Sequence, residues 1–420
     1  MRESFMADKH FLLICTVGGS KEPIVCSLKH WKPDRIIFVP SPETEAKIRS
    51  DIIPLAQKEG INISDYEIKN VPNAQDLRAC LEAAHDMQTF VLDWNKRGED
   101  YQVVLDITGG TKLMTIAFSL VAHTWPCVFS YVGGEQRGEN GCGVVVSGKE
   151  KILHWVNPWD VLGYQTVEDA VALFDRGSCG AAADHLQKTM RRVTDPTAKR
   201  ELASFHALAE AYASWDRFDH NKAANRFWDA MMGLNDLRHL FPHLPDLHYK
   251  LKRHHEYVMI LSEAKGRATL EMVFDLIANA ERRACENRFD DAVARLYRAV
   301  EALAQIRLAD EKYGIPDTSK VPIEKIPKEL HGQVDPDNDG NCKLSLQISY
   351  KILEALGDPL GLKFFEIEIS KQLTGRNSSI LAHGFNPISN GCYIALRNKV
   401  LELASIDEEA LPKFPKLGKE

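Results

Sequence analysis

The stretch that most constrains this chain is YQVVLDITGGTKLMTIAFSLVAHT, residues 101–124. Val103-Val104-Leu105 is too short an apolar run for a helix and β-branched enough for a buried strand. Asp106-Ile107-Thr108-Gly109-Gly110-Thr111-Lys112 follows, and Leu113, Met114, Ile116, Ala117, Leu120 and Val121 then recur at helical spacing. Strand, Gly-rich turn and helix in that order form the unit of a parallel, doubly wound sheet. Gly109 and Gly110 permit close backbone approach, Thr111 is placed to cap the helix, and the free N–H groups at the helix start suit an anion. Lys112 adds a positive charge; Thr108 and Thr111 add hydroxyls. Plain chain reversal would use the same turn. The G-x-x-x-x-G-K-[ST] and G-x-G-x-x-G spacings are both absent, so a ligand site needs a second loop.

Residues 1–160 supply one. Strands are predicted at 11–17, 35–39, 62–68, 103–105 and 126–131, with helices at 23–30, 44–58 and 74–94 between them. Segments 144–146 and 152–156 read as a terminal hairpin around Gly148. The first strand runs into Thr16-Val17-Gly18-Gly19-Ser20-Lys21. In a parallel sheet both glycine loops fall at the carboxyl ends of strands, on the edge where ligands bind. Two such loops make an open, phosphate-friendly pocket. No acidic residue stands where a dinucleotide fingerprint requires one, which disfavours NAD.

From 165 to 275 the pattern changes to helix after helix, at 167–174, 181–193, 201–215, 221–240 and 255–264. Ala-Val-Ala-Leu-Phe-Asp-Arg-Gly (170–177) and Ala-Tyr-Ala-Ser-Trp-Asp-Arg-Phe (211–218) look alike, which suggests helical hairpins of tetratricopeptide type. His254, His255, Phe227 and Trp228 read as packing or surface groups. Residues 276–420 form a third, helical region. Helices are expected at 270–286, 291–308, 344–356, 362–373 and 393–406, with a Pro/Asp/Lys-rich loop at 315–341 and a frayed tail from Pro412.

That region holds a second chemical stretch, Gly375-Arg376-Asn377-Ser378-Ser379-Ile380-Leu381-Ala382-His383. On a helix, positions 376 and 383 share a face. Arg376 is permanently cationic and matches phosphate geometry, and His383 exchanges a proton near neutral pH. Such a pair can hold a scissile RNA phosphate and move protons in a 2′-OH attack without a metal; the bland alternative is a surface pair. Asn377 adds a polar group, and Ser378 a less direct one.

Charge bounds the partners. A formal net charge of −7 argues against a broad basic nucleic-acid face but permits a small basic cleft. The nine cysteines form no C-x-x-C pair, so neither a zinc site nor a disulfide framework is expected. The apolar run at 11–15 is too short for a signal sequence. No window approaches the roughly 18 apolar residues of a membrane span. The expectation is a cytoplasmic protein with no membrane partner.

Both chemical stretches resemble one family. The N-terminal part resembles a CARF domain, a Rossmann-like sensor of cyclic oligoadenylates, through Thr16-Val17-Gly18-Gly19-Ser20 and Asp106-Ile107-Thr108-Gly109-Gly110-Thr111-Lys112. The C-terminal part resembles a HEPN domain through the R-x(4–6)-H motif at Arg376-Asn377 and His383. Together they resemble the CARF–HEPN accessory ribonucleases of type III CRISPR systems. The resemblance implies three regions: a sensor at 1–160, a helical linker at 165–275 and a ribonuclease domain at 276–420. It also implies a homodimer around one cyclic oligoadenylate, with tetra-adenylate the favoured ring. Two copies of Arg376 and His383, supported by Asn377, would cleave single-stranded RNA to 2′,3′-cyclic phosphate and 5′-OH ends. No cofactor or metal is implied beyond the allosteric ring.

Other readings stay open: a ligand-sensing regulator with an inactive HEPN module, or a ring nuclease using Thr16, Ser20, Thr108 and Thr111. A metal nuclease would need a P-D…(D/E)-x-K constellation; Pro33-Asp34 with Glu45-Ala46-Lys47 matches the letters but falls within the sensor.

Overall fold

The computed structural model describes residues 9–98, 100–134, 145–146, 148–377, 381 and 384–418. The chain divides into two compact units, one of residues 1–168 and 185–203, the other of residues 169–184 and 204–420.

The first unit opens with β1 (His10–Val17), α1 (Glu22–Trp31) and β2 (Arg35–Pro40). Then α2 starts at Glu45–Lys47, widens into a π-helical turn over Ile48–Ile52 and resumes over Ile53–Lys58. After β3 (Tyr66–Ile68) come α3 (Leu77–Asp86), α4 (Gln88–Asn95), β4 (Tyr101–Asp106), α5 (Lys112–Ala122), β5 (Cys127–Gly133) and β6 (Lys151–Val156). The sheet order is β3-β2-β1-β4-β5-β6, parallel except for β6 against β5. This is the doubly wound α/β order, with its switch point between β1 and β4. The apolar run of β1 is continuous because both faces are buried. Leu12 and Ile14 pack toward Met114 and Phe118 of α5, while Leu13 and Cys15 pack toward Leu28 and Trp31 of α1.

Local expectations needed two corrections here. The helix predicted over 74–94 is two helices, parted at Met87, where Thr89 Oγ1 donates to the Asp86 carbonyl and competes with the helical ladder. The strand predicted at 62–68 is confined to Tyr66–Ile68. Residues 152–156 do form a strand, and its partner is β5; the turn expected around Gly148 is present, with Lys149 N donating to Val146 O at 2.9 Å, while Val144 lies outside the described residues.

Helices follow in series: α6 (Trp159–Asp175), α7 (Cys179–Met190), α8 (Pro196–Asp216), α9 (His220–Met232), α10 (Leu234–Leu240) and α11 (Leu247–Glu263). The two look-alike segments make the same turn. After Asp175 and Asp216, Gly177 and Phe218 take left-handed φ values of 87° and 63°. Ser178 N then donates back to Leu173 O and Asp219 N to Ser214 O, the Schellman closure of a helix. A third copy, missed in the sequence, closes on Asn287 with Arg288 N donating to Arg283 O. The helix predicted over 221–240 breaks at Gly233, where a Cβ would lie 2.1 Å from Ser204 Oγ.

The second unit continues with α12 (Leu270–Cys285), α13 (Phe289–Leu308), a two-stranded ribbon of β7 (Val321–Pro322) and β8 (Asn341–Cys342), then α14 (Leu346–Ala355), α15 (Pro359–Glu366), α16 (Ile369–Asn377) and α17 (Asn390–Ala404). The ribbon lies within the predicted loop. The helix predicted at 362–373 is split by Glu368, at φ 51°. Ile277, Leu296, Val300, Tyr350, Phe364 and Leu396 share one buried core.

The tail is docked, not frayed. Phe414 packs on Tyr212 and Trp215, with ring centroids 4.7 and 5.0 Å away, and under the Arg282 guanidinium at 4.1 Å. Leu417 is buried, and the Asp175 carboxylate accepts from the N–H groups of Leu417 and Gly418 at 2.8 and 2.9 Å. His254 is a packing group as expected: it hydrogen-bonds Tyr212 Oη at 2.7 Å, and burial holds its imidazole down to about 4.

Candidate functional site

The register that pairs Cys15 with Asp106 sets the two glycine loops side by side at the switch point. Their glycines serve each other first. A Cβ on Gly109 would lie 2.1 Å from the Thr16 carbonyl oxygen, and one on Gly18 would lie 2.7 Å from Gly110 N. Gly110 sits at φ 82°. Only glycine permits that approach.

The hydroxyls fasten the junction. Thr16, fully buried, donates to Gly109 O at 2.8 Å. Thr111 caps α5 by accepting from Met114 N, and donates to Ala74 O at 2.7 Å. Thr108 Oγ1 accepts from Val132 N at 2.8 Å. Asp106 is buried and accepts from Thr108 N at 2.8 Å and from Ser27 Oγ. Burial pushes its carboxyl above the usual carboxylate range, against the pull of the Ser27 and Thr108 hydrogen bonds. Asp106 therefore holds the second loop in shape from beneath.

The open surface lies beside the first loop. Gly18, Gly19, Ser20 and Lys21 line a pocket of about 270 Å³, together with Lys47, whose Nζ donates to Gly19 O at 3.2 Å. A Cβ on Gly19 would meet nothing within 4 Å. Lys112 opens α5 on the exposed surface and does not line this pocket. Of the four hydroxyls expected here, Thr16 and Thr111 have their donors engaged inside the protein, whereas Ser20 makes no hydrogen bond among the described residues. Lys47 was missed as a site residue. In the sequence it stood out only as the last residue of the Glu45-Ala46-Lys47 match.

This junction makes a direct test. Gly109→Ala should destabilise the first unit by about 1–3 kcal/mol, because the backbone of the first loop must move. Gly19→Ala should stay within about 0.5 kcal/mol. Urea midpoints compare the two; equal midpoints would remove the argument that the loops interlock.

The second chemical stretch is described in part. Arg376 and Asn377 are the last two residues of α16; their side chains, and His383 entirely, lie outside the described residues. Leu381 is in a turn, and 384–389 carry no helix. The expectation that positions 376 and 383 share a helix face falls on residues outside the described ones. Beside the motif Phe385 is 95% exposed.

Three domain models match the chain in turn. The Card1 CARF domain model matches residues 23–137, the Csm6 6H domain model 162–242 and the Csm6 HEPN domain model 262–407. Among solved structures, Enterococcus italicus Csm6 bound to cyclic hexa-2′-fluoro-hexa-dAMP covers 96% of this chain and 96% of its own, at 12% identity and a TM-score of 0.53, a likeness of fold. Can2 from Sulfobacillus thermosulfidooxidans, in complex with cyclic tetra-adenylate, covers 49% of this chain and 66% of its own at 13% identity; its TM-score of 0.24 is too low to bear on the fold. No curated protein sequence matches the chain. With glycine loops meeting at the switch point of a parallel sheet, a helical middle and a mainly helical third region, and with the three domain models in that order, the chain belongs to the CARF–HEPN family of CRISPR accessory proteins.

Proposed function

We propose that this chain is a metal-independent endoribonuclease switched on by a cyclic oligoadenylate. The observation that carries the reading is the pairing of two interlocked glycine loops at the sheet's switch point, with a pocket beside the first of them, and a match to the Csm6 HEPN domain in the same chain. Ring phosphates would be held by the N–H groups around Gly18 and Gly19, by Ser20 and by the ammonium groups of Lys21 and Lys47. Lys112 would add charge at the rim.

One chain offers one Arg376 and one His383, half of a symmetric site, so the working unit is a homodimer. Exposed Ile116 and Leu120 on α5, the helix following the second loop, support pairing of the sensors. In the ribonuclease site His383 would take the proton of a 2′-OH as it attacks the adjacent phosphorus. Arg376 would balance the charge developing on the phosphoryl oxygens, and Asn377 would orient the phosphate. The 5′-oxygen leaves with a proton, giving 2′,3′-cyclic phosphate and 5′-OH ends on single-stranded RNA. The nucleophile is the substrate's own hydroxyl, so no step calls for a metal.

Cleavage of a fluorescent single-stranded RNA in EDTA tests this, with cyclic tri-, tetra- and hexa-adenylate added in turn. Stimulation by one ring is the expected result, with tetra-adenylate favoured and hexa-adenylate the competing arm. Tight binding of a ring without RNA turnover would instead establish a sensor with an inactive HEPN module. Activity that requires a divalent ion would overturn the mechanism.

A further inference from the structure

We propose that the first unit carries a second anion-binding cleft, at the sheet edge opposite the glycine loops, that accepts a phosphorylated nucleotide. Strands begin at this edge: Tyr101 and Gln102 open β4, and Pro126 precedes β5. Facing them are Arg191, Arg192 and Lys199, from the end of α7 and the first turn of α8. The cleft measures about 780 Å³, within the range of roughly 300–1,000 Å³ typical of small-molecule sites. β4 is six residues long at about 3.3 Å each, so some 20 Å separates the cleft from the loops.

Charge and polarity point to the occupant. Among the described residues every charged side chain lining the cleft is cationic, Lys9 being the fourth, in a chain whose net charge is −7. The three cations Arg191, Arg192 and Lys199 facing the strand starts raise the local anion concentration. Arg192 is held in place by stacking on Trp159 at 4.8 Å, so part of the ordering cost is met before any ligand arrives.

Amides make the cleft more than a phosphate trap. The Asn95 Nδ2 atom is buried and has no hydrogen-bond partner among the described residues, so an arriving acceptor relieves a desolvation cost already present. Gln102 is 7% exposed and donates to Val103 O across a long 3.3 Å, and Gln187 stands at the rim. Amide heads supply the paired donors and acceptors that a base edge presents, while guanidinium groups suit its phosphates. Inorganic phosphate alone would leave the amides unused.

Calorimetry on the full chain with ADP and, separately, with pyrophosphate tests the cleft without reference to RNA cleavage. ADP should bind the native chain and the Lys21→Glu/Lys47→Glu variant equally. Arg191→Glu/Lys199→Glu should weaken it about tenfold or more, and the milder Arg191→Gln/Lys199→Gln should weaken it less, since both positions are exposed and their replacement leaves the fold intact. Asn95→Leu should weaken ADP and leave pyrophosphate unchanged. No ADP binding by the native chain, loss only in the Lys21/Lys47 variant, or pyrophosphate binding as tightly as ADP would each overturn the proposal. So would an unchanged ADP affinity in both Arg191/Lys199 variants.

Discussion

His383→Ala is expected to lower ring-stimulated RNA cleavage by about 10²–10⁴-fold, the range associated with a positioned proton-transfer group. The loss should fall on kcat, because an imidazole acting on the 2′-OH matters most in the transition state. Ring binding should be unchanged, since the glycine loops belong to the other compact unit. Arg376→Ala should cost a similar factor, and Arg376→Lys should recover little of it, because a single ammonium does not reproduce the planar fork of a guanidinium on phosphate. Cleavage by His383→Ala within about fivefold of the native rate would sink the assignment of the proton-transfer group. A large loss together with lost ring binding would show a folding defect instead, which the Asn377→Ala variant, read on the same two assays, would separate.

The sheet was legible because its signals are local. Buried strands such as 11–17 and 103–105 are apolar runs with no competing helical period, and Thr111 caps α5 as its position after two glycines predicts. What the loops do with those glycines was not legible. Gly18, Gly109 and Gly110 are as useful for a ligand as for a neighbouring loop, and only the β1–β4 register shows that the loops occupy each other's space. Lys47 escaped notice because it reaches the site from a separate helix. Helix breaks at Met87 and Glu368 involve neither glycine nor proline, so apolar periodicity ran straight through them. The tail misled for a related reason: a Lys/Pro-rich composition suggests fraying, but Phe414 and Leu417 find an aromatic bed and a carboxylate supplied from far along the chain. The Arg376–His383 spacing is a sequence fact whose geometry the described residues do not include.

Asp216→Ala should destabilise the second unit by about 3–5 kcal/mol, a large share of the roughly 5–15 kcal/mol by which a domain is stable. Asp216 ends α8, where its carboxylate accepts from Arg282 Nε at 2.8 Å, from Asn279 Nδ2 at 3.0 Å and from Arg283. Arg282 also lies 3.7 Å from the fully buried Asp275, which accepts from Trp215 Nε1 at 2.9 Å and faces His220 at 3.3 Å. Two guanidinium groups thus meet three carboxylates, Glu286 lying 3.1 Å from Arg283, in a site where Arg282 and Arg283 are only 13% and 9% exposed. Removing the Asp216 carboxylate takes from Arg282 Nε and from Arg283 their close acceptor in this buried site, so the desolvation cost of the arginines outweighs whatever the pair contributed when intact. The exposed pair Lys96–Asp93, with both side chains 74% exposed, is the control, and Asp93→Ala should cost less than about 1 kcal/mol. Urea unfolding followed by tryptophan fluorescence reads both, because Trp215 is buried against this network. If the two variants shift the midpoint equally, the network contributes no more than a surface pair. If Asp216→Ala alone shifts it, the docking of Phe414 under Arg282 should loosen with it, and protease cleavage after Lys413 or Lys416 should quicken in that variant before global unfolding begins.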